Sequence, residues 1–284
     1  MISDDPLAAC LNGHITPEVA IARMLLAGED VDAICRRVDA LPRSGAAWAE
    51  LERLAQSGSL LRRLRQLLDA AGVDHAAPAT PAAIAALFDR AVAISPEASV
   101  AFYSLGDGAR LQSASEEIRD WLHRAGLLAL HQDVLDLGCG IGRVASVIAP
   151  HARTIVGVDV SQAMLREARQ RCTAWPNISF FASSGLDLLA LANGSFDLVL
   201  AVDSFPYLVQ AGVAEVHIAE ARRVLRPGGC LVILNLSYRS EKRSDRKAAE
   251  TWARRYGLRL THAAVSPFRT WDALAYILNT DNVR

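Results

Sequence analysis

One short stretch of the sequence, VLDLGCGIGRV at 134–144, combines an acid with three closely spaced glycines. Asp136 lies in an apolar run, and Gly138, Gly140 and Gly142 follow it at alternate positions. Glycine lets a backbone turn sharply and approach a ligand with no Cβ in the way. The pattern predicts a strand that ends just before the glycines and a helix that begins beyond them, a place where open α/β sheets bind ligands.

Two acids indicate the kind of ligand. Asp136 comes two residues before the first glycine, where it is poorly placed for a pyrophosphate but well placed for a cation or an ammonium group. Asp159 ends the next apolar run, about 20 residues beyond Gly138, where an acid can hold ribose hydroxyls. A dinucleotide loop would carry its third glycine one residue later, where this chain has Arg143. We therefore expect a ligand with a ribose and a positive charge, and without phosphates.

Four motifs in this order resemble those of the class I S-adenosylmethionine-dependent methyltransferases. They are DLGCGIG, IVGVDVS, GSFDLVLAVD and RVLRPGGCLVI, and they cover about residues 133–237. The resemblance implies S-adenosylmethionine as cofactor and S-adenosylhomocysteine as product. It also implies an α/β fold with a seven-stranded Rossmann-like sheet, of strand order 3-2-1-4-5-7-6 with strand 7 antiparallel.

The resemblance assigns a part of the cofactor to each motif. Asp136 and the glycine loop would face the methionine part, and Asp159 would grip the ribose. The residues predicted to bind the cofactor are Asp136, Gly138, Cys139, Gly140, Gly142, Arg143, Asp159, Val160, Met164, Ser184, Gly185 and Asp203. Many members carry an acid where this chain has Gly185, so Ser184, backbone groups or Asp187 would contact the adenine instead.

Two residues of this set leave alternatives open. Arg143 touches either the carboxylate of the ligand or only the surface of its own helix. Cys139, between two glycines, is interpreted as a small buried filler and not as a nucleophile.

The segment DSFPY (203–207) follows strand four, at the end of the sheet where the methyl group must be delivered. It loosely resembles the (D/N)PPY motif of enzymes that methylate planar amino groups. Asp203 and Tyr207 are the predicted catalytic residues, with Asp203 as the base if the acceptor has to lose a proton. The residues predicted to line the acceptor pocket are Tyr103, Tyr207, Asn235, Tyr238 and Arg269.

The two parts of the chain have different hydrophobic patterns. Residues 1–94 show helical spacing throughout and are predicted to form a helical cap or substrate domain. Three helix starts, at Thr16, Thr80 and Ser95, place proline directly after a capping hydroxyl. Residues 95–284 are predicted to form the cofactor domain, because short apolar runs alternate there with helical ones and predict a parallel sheet. One of the predicted helices covers 185–191. The segment RPGG (226–229) is predicted to be a structural stop before strand five, because proline and glycine end helices and make turns.

The composition excludes several classes of protein. Thirty basic and 31 acidic residues give a net charge of −1, which offers no general attraction to nucleic acid or to an anionic membrane. The acidic N-terminus does not resemble a secretory signal, and no run approaches the ~20 apolar residues that span a bilayer. Five scattered cysteines and seven scattered histidines predict a reduced, cytoplasmic protein without a metal. Nothing in the sequence indicates the oligomeric state.

We therefore predict an enzyme that transfers a methyl group to nitrogen or oxygen of a small-molecule acceptor. One alternative is an RNA or protein methyltransferase that docks its substrate on the helical part. The other is a protein that binds S-adenosylmethionine without transferring its methyl group.

Overall fold

The computed structural model describes residues 5–72, 79–238 and 242–281, and the chain divides into two compact units. The first comprises residues 1–73, 90–114 and 268–272, and the second comprises 74–89, 115–267 and 273–284. The division does not follow the boundary predicted after residue 94, because helices α6 (Pro81–Ile94) and α8 (Gly108–Arg124) each contribute to both units. The roles assigned to the two parts stay predictions.

The first unit is helical. Besides the end of α6 and the start of α8 it contains α1 (Pro6–Leu11), α2 (Pro17–Leu26), α3 (Val31–Asp39), α4 (Gly45–Gln56), α5 (Gly58–Ala71) and α7 (Pro96–Val100). The predicted helix starts are confirmed, since Thr16 accepts a hydrogen bond from Val19 N at 3.3 Å and Ser95 accepts one from Ala98 N at 3.3 Å. The fully buried side chains of its core include Ile21, Met24, Leu25, Ile34, Leu51 and Leu54.

The second unit contains the sheet, and the predicted fold is confirmed. Seven strands lie in the order β3-β2-β1-β4-β5-β7-β6, with β7 antiparallel to both of its neighbours. The strands are β1 (Asp133–Leu137), β2 (Thr154–Asp159), β3 (Ile178–Ala182), β4 (Phe196–Val202), β5 (Leu225–Leu234), β6 (Arg259–Val265) and β7 (Ala275–Asn279). Besides the start of α6 and the end of α8, this unit contains the helices α9 (Arg143–Ile148), α10 (Gln162–Arg171), α11 (Phe205–Gln210), α12 (Ala214–Val224) and α13 (Lys242–Arg255).

Strand β1 lies at the centre of the parallel part and is buried over its whole length. Leu135 and Leu137 belong to a core cluster with residues of α12 and α13, so Asp136, between them, points to the opposite face. The parallel register sets Asp136 beside Gly157 of β2 and Leu200 of β4. The carboxyl ends of these strands therefore meet at one edge, where the loops carrying the predicted site residues emerge.

Two local predictions are wrong. Residues 185–191 form turns and not a helix, because the side chains of Ser183, Ser184 and Asp187 accept nearby backbone N–H groups and stabilise turns. The segment 226–229 was expected to be a stop before strand five, yet it lies within β5 as an irregular section with a register shift against β4.

Candidate cofactor and acceptor site

The glycine loop after β1 is fastened to the neighbouring strand. Gly138, Gly140 and Gly142 all have positive φ, at 72°, 52° and 73°. The backbone N–H groups of Gly138 and Cys139 donate to the carbonyl of Val158 at 2.8 and 3.1 Å. The loop therefore has a fixed shape that side chains larger than glycine would rarely adopt.

Gly138 is also required by packing. A Cβ built on it would lie 2.3 Å from the Cβ of Ser204, which follows β4. The hydroxyl of Ser204 donates to the carbonyl of Leu137 and fixes this close approach. A glycine at position 138 is thus needed for the close contact between the loops after β1 and β4, whatever ligand the glycine loop binds.

Asp159 connects the glycine loop to the loop after β2. Its carboxylate accepts hydrogen bonds from Gly140 N and from Ser161 N, both at 2.9 Å. Burial raises the pKa of Asp159, and these backbone hydrogen bonds oppose the rise. A carboxylate offers about four lone-pair positions, so the side chain keeps acceptor capacity for a further donor such as a ribose hydroxyl.

Asp136 is a buried carboxylate with an unsatisfied oxygen. Only 2% of the surface of Asp136 is exposed to solvent, and its Oδ2 has no hydrogen-bond partner among the described residues. Burial raises the pKa of Asp136 to about 7, an effect that the charge of Arg143 opposes and that of Asp159 reinforces. A buried acceptor without a donor is costly, and it fits the ammonium group of a ligand.

Arg143 begins α9 and is buried, with 5% of its surface exposed. Its Nη1 donates to Ser115 Oγ at 3.4 Å, and its Nη2 lies 4.0 Å from Asp203 Oδ2. Its charge thus acts on both Asp136 and Asp203. The interpretation that Arg143 only covers the surface of its helix is wrong, while its contact with a ligand carboxylate stays a prediction.

Asp203 and Asn235 directly follow the neighbouring strands β4 and β5, and the structure brings them together. Both have positive φ, at 56° and 65°, which is uncommon for residues other than glycine. Asn235 Nδ2 donates to Asp203 Oδ1 at 2.7 Å. The hydroxyl of Tyr238 donates to the carbonyl of Asp203 at 3.5 Å, so three of the predicted site residues form one cluster.

Tyr207 joins this cluster through its ring. It packs edge-on against Tyr238, with ring centroids 5.8 Å apart, and against Phe88, with centroids 4.9 Å apart. Burial, and after it the charge of Asp203, raises the pKa of Tyr207 well above the ordinary value of a phenol. Tyr207 is therefore protonated at neutral pH, and it can act as a wall or a hydrogen-bond donor but not as a base.

The start of α6 belongs to the site, although the sequence patterns did not indicate it. Asp89 Oδ1 accepts hydrogen bonds from Ser161 Oγ at 2.6 Å and from Ala163 N at 3.1 Å. Phe88 contacts Tyr207 as described above. The only signal in the sequence was that PAAIAALFD (81–89) carries its single aromatic and its single charge side by side.

The residues predicted to contact the adenine lie around the loops after β2 and β3. Gly185 has a φ of 71°, and a Cβ built on it would be 2.6 Å from Val160 Cγ1 and 2.9 Å from Pro81 Cβ. Met164 is buried, and the hydroxyl of Ser184 accepts from Leu186 N at 3.2 Å. The adenine contacts of Val160, Met164, Ser184, Gly185 and Asp187 stay predictions.

Cys139 is buried, and burial raises the pKa of its thiol well above the usual value. The thiol is therefore protonated at neutral pH, as the interpretation of a small buried filler requires. Among residues 5–72, 79–238 and 242–281 no cluster of three His, Cys, Asp or Glu side chains could hold a metal ion. In the same residues no helix is both long and apolar enough to cross a membrane.

Tyr103 and Arg269 belong to the first unit and not to the unit that carries Asp203. Tyr103 stacks on Trp271, with ring centroids 5.2 Å apart. It also lines a cavity of ≈ 260 Å³ in that unit, together with Glu18 and Arg110. The role of Tyr103 and Arg269 in an acceptor pocket stays a prediction.

Comparison with known proteins identifies a domain in this chain. Residues 134–229 match the family model of a methyltransferase domain. The chain is 34% identical over 107 residues to a demethylmenaquinone methyltransferase of Tropheryma whipplei (strain Twist). This alignment covers 38% of this chain and 43% of that protein. It is 31% identical over 133 residues to the methyltransferase GfsG of Streptomyces halstedii. This second alignment covers 45% of this chain and 46% of that protein. The chain thus spans less than half the length of both relatives.

A solved structure shows the same fold. The crystal structure of the [4+2]-cyclase SpnF aligns with a TM-score of 0.52 at 17% sequence identity, over 73% of this chain and 98% of that one. Together with the methyltransferase domain at 134–229, this fold confirms the predicted resemblance to class I S-adenosylmethionine-dependent methyltransferases.

Proposed function

We propose that this chain, whose residues 134–229 are an S-adenosylmethionine-dependent methyltransferase domain, methylates nitrogen or oxygen of a small-molecule acceptor. The observation that carries the proposal is the pairing of Asp203 with Asn235 at the carboxyl ends of β4 and β5, beside buried Arg143. The pairing fixes the orientation of a carboxyl group at the edge of the sheet that also holds the glycine loop.

The residues around the glycine loop fit the cofactor. Asp136, with its unsatisfied oxygen, would hold the ammonium group, and Arg143 the carboxylate of the methionine part. Asp159 would accept hydrogen bonds from the ribose hydroxyls. S-adenosylmethionine, when bound, supplies a methyl group on a positively charged sulfur.

Asp203 would orient the acceptor. Its carboxyl group is positioned by the hydrogen bond from Asn235 Nδ2 and lies 4.0 Å from Arg143 Nη2, so it can accept a hydrogen bond from an N–H or O–H of the acceptor. Such a bond would aim a lone pair of that nitrogen or oxygen at the methyl group, and correct alignment supplies much of the rate of a displacement. Tyr207 and Tyr238 would form an apolar wall and exclude water from the reacting atoms.

Two observations support a small acceptor. One curated relative is a methyltransferase of demethylmenaquinone, a small molecule. The nearly balanced charge of this chain gives no general attraction to RNA. We also propose that the protein acts in the cytoplasm and not at a membrane.

The test is transfer of a labelled methyl group. The purified full chain would be incubated with methyl-labelled S-adenosylmethionine and a cell extract, and the extract then separated into small molecules, RNA and protein. We expect label in the small-molecule fraction, where mass analysis would identify the product and the methylated atom. Asp159→Ala would be the matched control, and it should bind S-adenosylhomocysteine at least ~30-fold more weakly because it loses a charged hydrogen-bond acceptor.

The other outcomes separate the alternatives. Label in RNA or protein would contradict the small acceptor and favour a macromolecular substrate. Binding of the cofactor in calorimetry without label in any fraction would show a protein that uses S-adenosylmethionine in another way. Unchanged affinity of Asp159→Ala for S-adenosylhomocysteine would refute the ribose assignment.

A further inference from the structure

Residues 81–89 of α6 pack on three loops at the carboxyl edge of the sheet. Pro81 lies against Gly185, in the loop after β3. Phe88 contacts Tyr207, after β4, with ring centroids 4.9 Å apart. Because parallel strands end at the same edge, a helix that touches the loops after β3 and β4 must lie across that edge.

Asp89 ties this helix to the loop after β2. Its Oδ1 accepts from Ser161 Oγ at 2.6 Å and from Ala163 N at 3.1 Å. Ser161 is fully buried, and its hydroxyl in turn accepts from Met164 N at 3.1 Å as the N-cap of α10. The negative charge of Asp89 at the N-terminus of α10 is favourable, because the first N–H groups of α10 carry a partial positive charge.

Ser161 links Asp89 to the predicted ribose residue. Its hydroxyl donates to Asp89, while its backbone N–H donates to Asp159 Oδ1 at 2.9 Å. One residue is therefore held from two sides, by α6 and by the carboxylate that also binds Gly140. A shift of α6 away from the edge would remove one of these two restraints.

We propose that residues 81–89 cover the cofactor site and that Asp89 is the positioning residue that fastens this cover. The inference rests on the proposed function, because it takes the loops after β1, β2 and β3 as the cofactor site. Asp89 acts through Ser161 and contacts no part of the reaction itself. Its side chain is at the surface, so its hydrogen bonds compete with water and the cover can open for cofactor exchange.

The dissociation rate of the cofactor tests this directly. Labelled S-adenosylhomocysteine would be bound to the full chain and chased with an excess of unlabelled compound. We expect Asp89→Ala to raise the dissociation rate about three- to tenfold, as the loss of one or two exposed hydrogen bonds allows, without slowing association. Asp89→Asn keeps an oxygen that can accept both bonds and should stay close to the wild type.

Asp30→Ala is the matched control. Asp30 is also a surface acid at a helix N-terminus, where it accepts from Asp32 N and Ala33 N at 3.0 and 3.1 Å, but it belongs to the first unit. It should lower the melting temperature to a similar extent and leave the dissociation rate unchanged. If Asp30→Ala and Asp89→Ala change that rate equally, Asp89 has only a structural role and the proposal fails.

Hydrogen exchange of the wild type gives a second test that needs no variant. Amides of residues 81–89 should exchange more slowly when S-adenosylhomocysteine is bound. Equal exchange with and without it would overturn the proposal that these residues cover the cofactor site. The two proposals fail separately. If the wild type does not bind S-adenosylhomocysteine at all, the proposed function fails, whereas tight binding with a wild-type dissociation rate in Asp89→Ala overturns only the cover.

Discussion

Asn235 donates a hydrogen bond from Nδ2 to Asp203 Oδ1 at 2.7 Å, and both residues have a backbone in the left-handed region. Asn235 is held in turn by Leu274, the residue before β7, because its N–H donates to the carbonyl of Leu274 and its Oδ1 accepts from Leu274 N, at 2.9 and 3.0 Å. Strained residues at the ends of two adjacent strands are maintained by such surrounding contacts. The geometry of Asp203 thus depends on three neighbouring strands.

The first prediction concerns this strain. Asn235→Ala removes both side-chain hydrogen bonds of Asn235. Alanine still has a Cβ that disfavours a φ of 65°, and it has no side-chain hydrogen bond to offset that strain. We therefore expect the variant to lower the free energy of unfolding by about 2–3 kcal/mol. Asn235→Gly loses the same bonds without the strain and should cost about 1 kcal/mol less. Urea denaturation of both variants measures the difference, and equal costs would show that the backbone is not strained.

The second prediction separates backbone strain from steric clash by comparing a glycine of the glycine loop with one outside it. Gly138 and Gly212 have almost the same φ, 72° and 71°, but only Gly138 has a neighbour where a Cβ would lie. Gly212→Ala should therefore destabilise by about 1 kcal/mol, from strain alone. Gly138→Ala must also displace Ser204, which lies 2.3 Å from the new Cβ, and we expect a cost of about 3 kcal/mol or more.

Denaturation midpoints of both variants check this, together with calorimetry of S-adenosylhomocysteine binding. Gly212→Ala should bind as the wild type does, while Gly138→Ala should bind much more weakly. Similar stability of the two variants would mean that the loops after β1 and β4 are not in close contact.

The third prediction concerns His217, a buried residue of α12 whose Nε2 has no hydrogen-bond partner among the described residues. Burial lowers its pKa below the ordinary 6.5, so the folded state binds fewer protons than the unfolded state. Its contribution to stability is present above pH 6.5 and is lost as the pH falls below that value. His217→Leu should therefore lose less stability than the wild type between pH 7 and pH 5.

His262 provides the control, because it lies at the surface of β6. His262→Leu should keep the pH dependence of the wild type in the same denaturation experiment. If His217→Leu keeps it as well, another group is responsible for the acid sensitivity.

The sequence predicted the sheet better than its covering elements. The apolar runs DVLDL (133–137) and FDLVLAV (196–202) predict two strands that coincide with β1 and β4, since a buried parallel strand is a short apolar run that stands out from its surroundings. The helix expected over 185–191 was wrong because its hydrophobic spacing was outweighed by Ser183, Ser184 and Asp187, whose side chains bind the backbone locally. Periodicity does not register such side-chain hydrogen bonds.

The site was predictable where one segment carries the chemistry and not where distant segments meet. Asp136 and Asp159 were predicted from the glycine motif and the spacing to the next strand, and the structure places Asp159 in contact with the glycine loop. Phe88 and Asp89 were missed because their partners Tyr207 and Ser161 are far away in the sequence, and no local pattern pairs a residue of a helical segment with a loop of the sheet. The contact between Asn235 and Asp203 likewise depends on the adjacency of β4 and β5.

The fourth prediction concerns Asp136, which is 2% exposed and has a pKa of about 7 because of its burial. The folded state therefore holds a proton that the unfolded chain, with an ordinary aspartate, has lost above pH 4. Stability from this group is full below about pH 4 and is lost as the pH rises to about 7. Asp136→Asn, which stays neutral, should thus stabilise the free protein by about 2–4 kcal/mol at pH 8 and by much less at pH 5.

The same variant should bind S-adenosylhomocysteine more weakly, because an amide cannot pair with the ammonium group as a carboxylate does. In the wild type the affinity should rise as the pH increases through 7 and Asp136 ionises, whereas in Asp136→Asn it should change little over that range. Calorimetry at pH 5, 6.5 and 8 measures both trends. A variant that gained stability at pH 8 and still bound as tightly as the wild type would show that Asp136 is a buried structural acid, and that another group receives the ammonium of the cofactor.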